Sequence, residues 1–158
     1  IEKIVQIAEL AGEAILEVYN KSGDIKIEHK GDDSPLTEAD LAAHNIIVEE
    51  LKKIDGTPIV SEEGNEGDPL LSDTCWLVDP LDGTKEFIKR NGMFTVNIAL
   101  MIRKKNRWTP LFGVVHAPVT KTTWFGGSNS AFGTQRPRWY WFDDGKPIIT
   151  ATSCTLSS

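Results

Sequence analysis

Apolar residues recur at helical spacing over the first twenty positions of the chain. They are Ile4, Val5, Ala8, Ala11, Ile15, Val18 and Tyr19. This pattern predicts an amphipathic helix, which Gly23 would end. A second helix is predicted to begin after Thr37 as its N-cap and to run to about Ile54. Glu38 and Asp40 would lie in its first turn, near the positive end of the helix dipole.

Most of the remaining chain carries the alternating or continuous apolar patterns that are typical of strands. The predicted strands are IKIEHK, TPIVSEE, CWLVD, FTVNIALMIRK, RWTPLFGVVHAP, KTTWFGG, SNSAFGTQ and IITAT. The segment RPRWYWFDDGKP has a turn signal at Asp144-Gly145 but no clear strand pattern. Two helices followed by consecutive strands predict an α+β fold, in which two helices pack on a mainly antiparallel sheet.

Composition is typical of a globular protein and argues against nucleic-acid polymers as partners. The chain has 158 residues, 40% of them hydrophobic and 25% charged, which is enough for one domain with its own core. Its net charge of -6 argues against binding to nucleic-acid polymers, since these require stripes of lysine and arginine. The cysteines Cys75 and Cys154 form no close-spaced motif, so a reducing compartment is expected. No apolar run in the sequence has membrane-spanning length.

Three acidic clusters each fall at the end of a predicted element. They are Asp40 at a helix start, Glu62-Glu63 after one strand, and Asp79 with Asp82 after another. Carboxylates at neighbouring strand ends can converge on one point, where they would repel each other and some would stay protonated. Hard divalent cations remove this conflict, and ligands that are all oxygen suit Mg²⁺. The pattern therefore favours a metal site.

The segment WLVDPLDGTKEF combines two of these aspartates with a turn that could hold phosphate. Pro80 fixes one φ angle, and Gly83 permits a conformation that other residues avoid. A helical turn that begins near Gly83-Thr84 would offer free N–H groups to a phosphate. The Thr84 hydroxyl could orient or deprotonate a water molecule. Together these features predict metal-assisted hydrolysis of a phosphate ester.

Each motif also has a simpler interpretation. DPLDG is a good turn sequence, SEEG is typical of a solvated loop, and TEAD is a capped helix start. The histidines His29, His44 and His116 have no metal-binding spacing. The turn is the strongest of these alternatives, but it does not explain why all three acidic clusters lie at element ends.

Four segments together resemble the inositol monophosphatase-like superfamily of Mg²⁺-dependent, lithium-sensitive phosphatases. They are KGDDSPLTEADLAAHNII, PIVSEEG, WLVDPLDGTKEFIKRNGMFTVNIALM and LFGVVHAPV, and the resemblance covers most of residues 1–125. The ending DGTKEF, in place of the DGTTNF of inositol phosphatases, is similar to the 3′(2′),5′-bisphosphate nucleotidases. Those enzymes hydrolyse the 3′-phosphate of adenosine 3′,5′-bisphosphate, a by-product of sulfate assimilation, to AMP and phosphate.

The resemblance implies a set of metal ligands. Glu62, Asp79 and Asp82 would bind Mg²⁺ through their carboxylates, and the Leu81 carbonyl would complete a first site. The family binds two or three ions. One further ligand would come from a second domain, whose WDxAA segment is absent from this sequence.

The resemblance also implies catalytic and substrate-binding roles. Thr84 with Asp40 would activate the attacking water, and Glu62 would assist. Gly83 and Thr84 would contact the phosphate through backbone N–H groups. Lys85 would also bind the substrate, and the simpler alternative for Lys85 is a solvated pair with Glu86.

On this resemblance, residues 1–150 form a metal-binding α+β phosphatase domain, and residues 151–158 begin a linker to a second domain. A half of this kind would expose apolar surface, so we expect either self-association as a homo-oligomer or weak activity. The expected partner is a small phosphorylated nucleotide and not a nucleic-acid polymer. The expected location is the cytoplasm, with peripheral association at the inner face of the membrane as a further expectation.

Two other functions stay open at this point. The first is an inositol or sugar monophosphatase, because the domain that usually determines substrate specificity is not present in this sequence. The second is a catalytically inactive half that only binds metal or a partner.

Overall fold

Two long helices pack on one face of a sheet in the computed structural model. The backbone is described for residues 1–21, 27–29, 35–105, 107–127, 130–135, 138–143 and 146–151, and side chains for 1–21, 36–105 and 107–127. The helices are α1 (Glu2–Tyr19), α2 (Glu38–Lys52) and the short α3 (Thr84–Ile88), with a 3-10 turn at Pro69–Leu71. The two predicted long helices are thus confirmed, and the second ends at Lys52 rather than near Ile54.

In the part of the chain that the structure describes, ten strands form two sheets. They are β1 (Ile27–His29), β2 (Pro35–Thr37), β3 (Ile59–Ser61), β4 (Thr74–Asp82), β5 (Thr95–Lys104), β6 (Arg107–Ala117), β7 (Thr122–Gly127), β8 (Ser130–Gln135), β9 (Arg138–Asp143) and β10 (Lys146–Ala151). Strands β1 and β2 pair as a small antiparallel sheet. The other eight follow the order β10-β9-β8-β7-β6-β5-β4-β3. Only β3 and β4 in this described sheet are parallel. The predicted α+β fold with a mainly antiparallel sheet is therefore confirmed.

The start of α2 is fixed by a capping box. The Thr37 hydroxyl accepts a hydrogen bond from the Ala39 N–H at 3.2 Å. The Asp40 carboxylate accepts one from the Thr37 N–H at 2.8 Å. Each contact satisfies an N–H group that has no partner within the helix. Thr37 is the N-cap that the sequence predicted, and Asp40 is placed by the cap as well as by the fold.

The end of α1 is held by a side chain that is distant in sequence. The Arg90 guanidinium donates to the carbonyl oxygens of Tyr19 and Lys21 and stacks on the Tyr19 ring. The last carbonyls of a helix have no partner within it, so a cation there satisfies them and matches the helix dipole. The predicted stop at Gly23 lies outside the described residues.

The core lies between the helices and one face of the large sheet. Its strand residues alternate along β4, β5 and β6, as expected for a sheet with one covered face. Buried side chains on this face are Trp76, Val78, Val96, Ile98 and Val114. Tyr19, Phe87 and Phe94 form an aromatic cluster with ring centroids 5.1 to 5.3 Å apart. Phe87 therefore anchors α3, which directly follows the DPLDG segment.

Helix α1 packs closely against the sheet at Gly12. A Cβ at this position would lie 2.6 Å from Cδ2 of His116, so only glycine fits without displacing the ring. Nδ1 of His116 lies 2.8 Å from the Thr123 hydroxyl. Burial lowers the pKa of His116 to about 4, so the ring is neutral at pH 7. His116 thus has a packing role at the end of β6.

The other face of the sheet is open. Leu77, Val115 and Trp124 lie on it with 47%, 39% and 40% of their surface exposed. A cleft of about 480 Å³ crosses this face and reaches Glu62 and Asp79. The apolar surface that the sequence analysis expected is present, and self-association stays a prediction.

Strand β4 differs from its prediction. The sequence placed the end of this strand at Asp79, but pairing with β5 continues to Asp82 across an irregularity. Asp79 pairs with Asn97 and Asp82 pairs with Thr95, so the intervening residues form a bulge. Both aspartates therefore belong to the bulged end of the strand rather than to a loop after it.

Several expectations fall outside what the structure tests. The turn at Asp144-Gly145 and Cys154 are not among the described residues, whereas Cys75 is buried as a free thiol. The boundary between residues 1–150 and 151–158 stays a prediction. No helix in the described ranges has both the length and the apolar character needed to cross a bilayer. Peripheral membrane association also stays a prediction.

Candidate active site

Parallel pairing of β3 and β4 brings two of the acidic clusters to one edge of the sheet. Ser61 pairs with Val78, and the Glu62 N–H donates to the Val78 carbonyl at 3.2 Å. Glu62 and Asp79 directly follow this pair, so they lie side by side at the same end of the two strands. Their proximity, which the sequence analysis inferred from strand ends, is confirmed by the pairing.

The Asp79 carboxylate is in an environment that disfavours its charge. Burial, then the charge of Glu62, then that of Asp82, raise its pKa from 3.8 to about 7. Its Oδ1 atom is buried and accepts no hydrogen bond from any residue that the structure describes. A buried oxygen without a partner is costly, and such cases in native proteins call for a specific explanation.

Asp82 is oriented by a residue that the sequence analysis did not identify. The Asn97 side-chain amide donates to Oδ2 of Asp82 at 3.1 Å. The Thr95 hydroxyl in turn lies 3.1 Å from Oδ1 of Asn97, which fixes the amide. Asn97 faces Asp79 across the β4–β5 ladder. Strand pairing across fifteen residues creates this contact, so the local sequence pattern gave no indication of it.

Asp40 joins the site from α2 and is well supplied with hydrogen bonds. Its Oδ2 accepts from the Thr37 hydroxyl at 2.5 Å and from the Thr37 N–H at 2.8 Å. Its Oδ1 accepts from the Thr84 hydroxyl at 3.2 Å. Burial raises the pKa of Asp40, and the hydrogen bonds from Thr37 and Thr84 oppose that rise. The predicted pair of Thr84 and Asp40 is thus in direct contact.

The Thr84 hydroxyl lies between two acceptors. It is 3.2 Å from Oδ1 of Asp40 and 3.2 Å from the Leu81 carbonyl oxygen. A hydroxyl donates one hydrogen bond and can accept two. The oxygen of Thr84 can therefore still accept a hydrogen bond from a water molecule while its proton is held by Asp40.

A left-handed glycine precedes the short helix α3. Gly83 has φ 95°, and a Cβ there would lie 2.8 Å from the Met93 carbonyl oxygen. Glycine alone adopts this positive φ without strain and has no Cβ that would clash with the carbonyl oxygen. Helix α3 begins at Thr84, as the sequence analysis expected for a turn that exposes N–H groups. Lys85 lies in its first turn and is exposed.

A histidine on α2 contacts the turn that carries Glu62. Nδ1 of His44 lies 2.9 Å from the Ser61 hydroxyl oxygen. Burial lowers the pKa of His44, whereas the charges of Glu63 and Glu66 raise it less strongly. The sequence analysis found only that His44 lacks metal-binding spacing, because a contact across seventeen residues leaves no local pattern.

The residues at this edge fit a hard divalent cation. Among the described residues, no three His, Cys, Asp or Glu side chains form a ready-made metal set. Glu62 and Asp79 interact, whereas Asp82 acts on Asp79 through its charge and bonds to Asn97. The donors are all oxygen, and the unpartnered Oδ1 of Asp79 lacks the positive charge or donor that would offset its burial. The assigned ligand roles stay predictions.

A two-helix, mainly antiparallel α+β fold with an acidic site beside a Gly-Thr turn is consistent with one class of enzymes, the metal-assisted phosphatases. The sequence profile of the inositol monophosphatase family matches residues 1–136. The chain belongs to the inositol monophosphatase family, as the resemblance in its sequence indicated.

Individual relatives agree with this assignment. The chain is 45% identical over 139 residues to the 3′(2′),5′-bisphosphate nucleotidase CysQ of Salmonella typhimurium, covering 84% of this chain and 53% of the relative. It resembles the crystal structure of CysQ from Bacteroides thetaiotaomicron with a TM-score of 0.67 and 42% identity, covering 85% of this chain and 49% of that one. The extragenic suppressor protein suhB from Bartonella henselae gives a TM-score of 0.68 at 26% identity, covering 92% of this chain and 52% of that one. The chain thus spans about half the length of these relatives.

Proposed function

We propose that this chain provides the metal-binding half of a Mg²⁺-dependent phosphomonoesterase. The proposed reaction hydrolyses the 3′-phosphate of adenosine 3′,5′-bisphosphate to AMP and phosphate. The observation that carries the proposal is Oδ1 of Asp79, which is buried without a hydrogen-bond partner among the described residues and lies beside the charges of Glu62 and Asp82. The names of the CysQ relatives support the nucleotide as substrate.

Glu62, Asp79, Asp82 and the Leu81 carbonyl would hold two or three Mg²⁺ ions, with one further ligand from outside this chain. When bound, the ions would lower the pKa of water and stabilise charge on the phosphate oxygens. The carboxylates of Glu62 and Asp79 would then no longer oppose each other, because a cation offsets their repulsion.

The Asp40–Thr84 pair would orient the attacking water. The Thr84 hydroxyl donates a hydrogen bond to Oδ1 of Asp40, with 3.2 Å between the two oxygens. The threonine oxygen is therefore free to accept a hydrogen bond from water. The raised pKa of Asp40 makes its carboxylate a better proton acceptor than an exposed aspartate. Asp40 would receive the proton that the water loses, relayed through Thr84, with assistance from Glu62.

Substrate phosphate would lie at the start of α3. The positive φ of Gly83 turns the backbone there, so that the N–H groups of Gly83 and Thr84 could donate to phosphate oxygens. Lys85 is exposed in the same turn and would attract the substrate's second phosphate. An inositol or sugar monophosphate is the second candidate substrate, since the family profile that matches this chain is that of the inositol monophosphatases.

A phosphate-release assay on the full chain tests the proposal. Adenosine 3′,5′-bisphosphate and inositol 1-phosphate are compared with and without Mg²⁺, and with added Li⁺. We expect release that requires Mg²⁺, favours the nucleotide and is inhibited by Li⁺. Preference for inositol 1-phosphate would support the second candidate. If neither substrate releases phosphate, the remaining alternative is an inactive half that only binds metal or a partner.

Asp82→Asn provides the matched test of the metal assignment. The substitution keeps an oxygen acceptor beside Asn97 but removes a ligand charge, so hydrolysis should be abolished while the fold stays intact. Glu49→Gln, which neutralises an exposed carboxylate on α2, serves as the control and should retain full activity. Normal turnover by the Asp82→Asn variant would show that the metal assignment is wrong.

A further inference from the structure

Helix α2 contacts the two chain segments that carry the acidic residues of the candidate site, through two side chains on one face. Asp40 bonds to Thr84, which follows β4. His44 bonds to Ser61, which ends β3. Residues four positions apart are neighbours on a helix surface. One turn of α2 therefore touches the segment that carries Asp82 and the segment that carries Glu62.

The contact at Ser61 is well placed to hold the Glu62 backbone. Ser61 is 8% exposed, and its hydroxyl oxygen accepts a hydrogen bond from the Glu63 N–H at 3.4 Å. The same hydroxyl lies 2.9 Å from Nδ1 of His44. Because a serine hydroxyl can donate one bond while it accepts another, both contacts can be made together.

The backbone on the other side of Glu62 is fixed by the sheet. The Glu62 N–H donates to the Val78 carbonyl at 3.2 Å, and the Gly64 N–H donates to the Ser61 carbonyl at 3.2 Å. These bonds set the turn and join it to β4, but they do not join it to α2. A described contact that does so is the hydrogen bond between His44 and Ser61.

We propose that His44 is a positioning residue, whose hydrogen bond to Ser61 holds the Glu62 turn against α2 and so supports binding of a divalent cation by Glu62 and Asp79. The inference rests on the proposed function only in requiring that these carboxylates bind a cation. The charges of Glu62 and Asp79 repel each other without the cation. Without the contact to α2 the turn would be free to shift relative to Asp79, and cation binding would have to restore its position.

Hydrogen bonds that orient metal ligands change metal affinity by about 10- to 100-fold. His44 acts on Glu62 through its neighbour Ser61, so we expect an effect near the lower end, about tenfold. His44→Leu and Ser61→Ala each remove one partner of the contact. If both act through the same bond, the double variant should bind the cation about as weakly as either single variant.

The test measures binding of MgCl₂ to the full chain by titration calorimetry. The variants are His44→Leu, Ser61→Ala, their double combination, and two conservative changes. His44→Asn places an amide near the position of Nδ1 and should restore affinity. His44→Gln places its amide near Nε2 and should behave like His44→Leu. The melting temperature is recorded without metal, because a structural role alone would change it and leave Mg²⁺ affinity unchanged.

The expected result is a loss of about tenfold in each single variant, no further loss in the double variant, and rescue by His44→Asn alone. Unchanged Mg²⁺ affinity in His44→Leu, multiplied losses in the double variant, or equal behaviour of the asparagine and glutamine variants would each overturn the proposal. A wild-type chain that binds no Mg²⁺ would overturn this proposal and the metal assignment together. Mg²⁺ binding without phosphate release would count only against the proposed reaction.

Discussion

Asp40 and Asp79 belong to different elements of the candidate site, α2 and β4, and burial raises the pKa of both carboxylates. Asp40 accepts hydrogen bonds from Thr37 and Thr84 on both of its oxygens. Asp79 has a buried oxygen with no hydrogen-bond partner among the described residues, and the charges of two further acids raise its pKa. The fold satisfies the first carboxylate by itself, whereas the second lacks a counter-charge from the described chain.

The comparison distinguishes Asp40, which stabilises the fold, from Asp79, which we propose binds a cation. Removal of Asp40 leaves donors without an acceptor, which lowers stability. Removal of the charge on Asp79 relieves repulsion and burial of an ion, which raises stability. Residues whose replacement stabilises a protein are often functional, since activity can require a strained or charged arrangement.

The largest expected effect is that of Asp79→Asn. Ionising Asp79 in the fold, where its pKa is about 7 instead of 3.8, costs up to about 4 kcal/mol at neutral pH. The metal-free variant should therefore be more stable than the wild type, while Mg²⁺-dependent phosphate release falls by at least about 100-fold. Urea unfolding in EDTA and the phosphate assay measure the two effects.

The pH dependence of that stability gain is a sharper form of the same test. Because the folded-state pKa of Asp79 is raised, native Asp79 binds more protons than unfolded Asp79 between pH 4 and pH 7. Protonation of Asp79 thus stabilises the folded wild type, and this stabilisation is lost as the pH rises through the window. The stability advantage of Asp79→Asn should therefore grow from near zero at pH 4 to its full value above pH 7. His116 titrates in both proteins and cancels in the difference. A constant advantage across this range would contradict the assigned cause.

Asp40→Ala should have the opposite sign. It removes the acceptor of the Thr37 N–H and of the Thr37 and Thr84 hydroxyls, so we expect a loss of about 2 kcal/mol in the free energy of unfolding. Asp40→Asn keeps an acceptor towards Thr37 and should lie between the wild type and the alanine variant. If Asp40→Ala stabilised the metal-free protein as Asp79→Asn does, the contrast between the two carboxylates would be lost.

Thr84→Val should change stability less than activity. The substitution keeps the shape of the side chain but removes a hydroxyl that bonds to Asp40 and Leu81. We expect a loss of about 1 kcal/mol in unfolding free energy and about 100-fold in phosphate release. Thr84→Ser retains the hydroxyl and is the control for both measurements. Similar kinetics in the valine and serine variants would mean that the hydroxyl does not orient water.

The smallest effect is expected for Glu50→Gln, which gives the baseline for all carboxylate changes. Glu50 pairs with Lys53 at 2.5 Å at the surface of α2, where the Glu50 side chain is 29% exposed and that of Lys53 is 61% exposed. Exposed pairs of this kind contribute little to stability. We therefore expect no measurable change in the unfolding midpoint, in Mg²⁺ affinity or in phosphate release, and a clear change in any of them would undermine the interpretation of the buried variants.

The helices and the cap at Thr37 could be predicted from the sequence because their determinants are local. Helical spacing of apolar residues and a capping residue three positions before Asp40 are visible in a short window. The same holds for the turn at Gly83, whose special backbone only glycine adopts without strain.

The contacts that orient the site could not be predicted in this way. Asn97 reaches Asp82 through strand pairing, and His44 reaches Ser61 through packing of a helix on the sheet. Neither contact has a local pattern, because register and packing are set by the whole core. The bulge in β4 was also missed, since Pro80 between two aspartates reads as the end of a strand.

The parallel pairing of β3 with β4 has a consequence for how this region tolerates change. Since both strands run in one direction, the acids that follow Ser61 and Val78 leave the sheet at the same edge, whatever route the chain takes between them. Insertions or deletions between Glu66 and Asp73 would alter the length of the crossing without moving one acid relative to the other. Each doubling of such a loop costs only about 0.6 kcal/mol, so this stretch is free to diverge while the spacing of the carboxylates is kept.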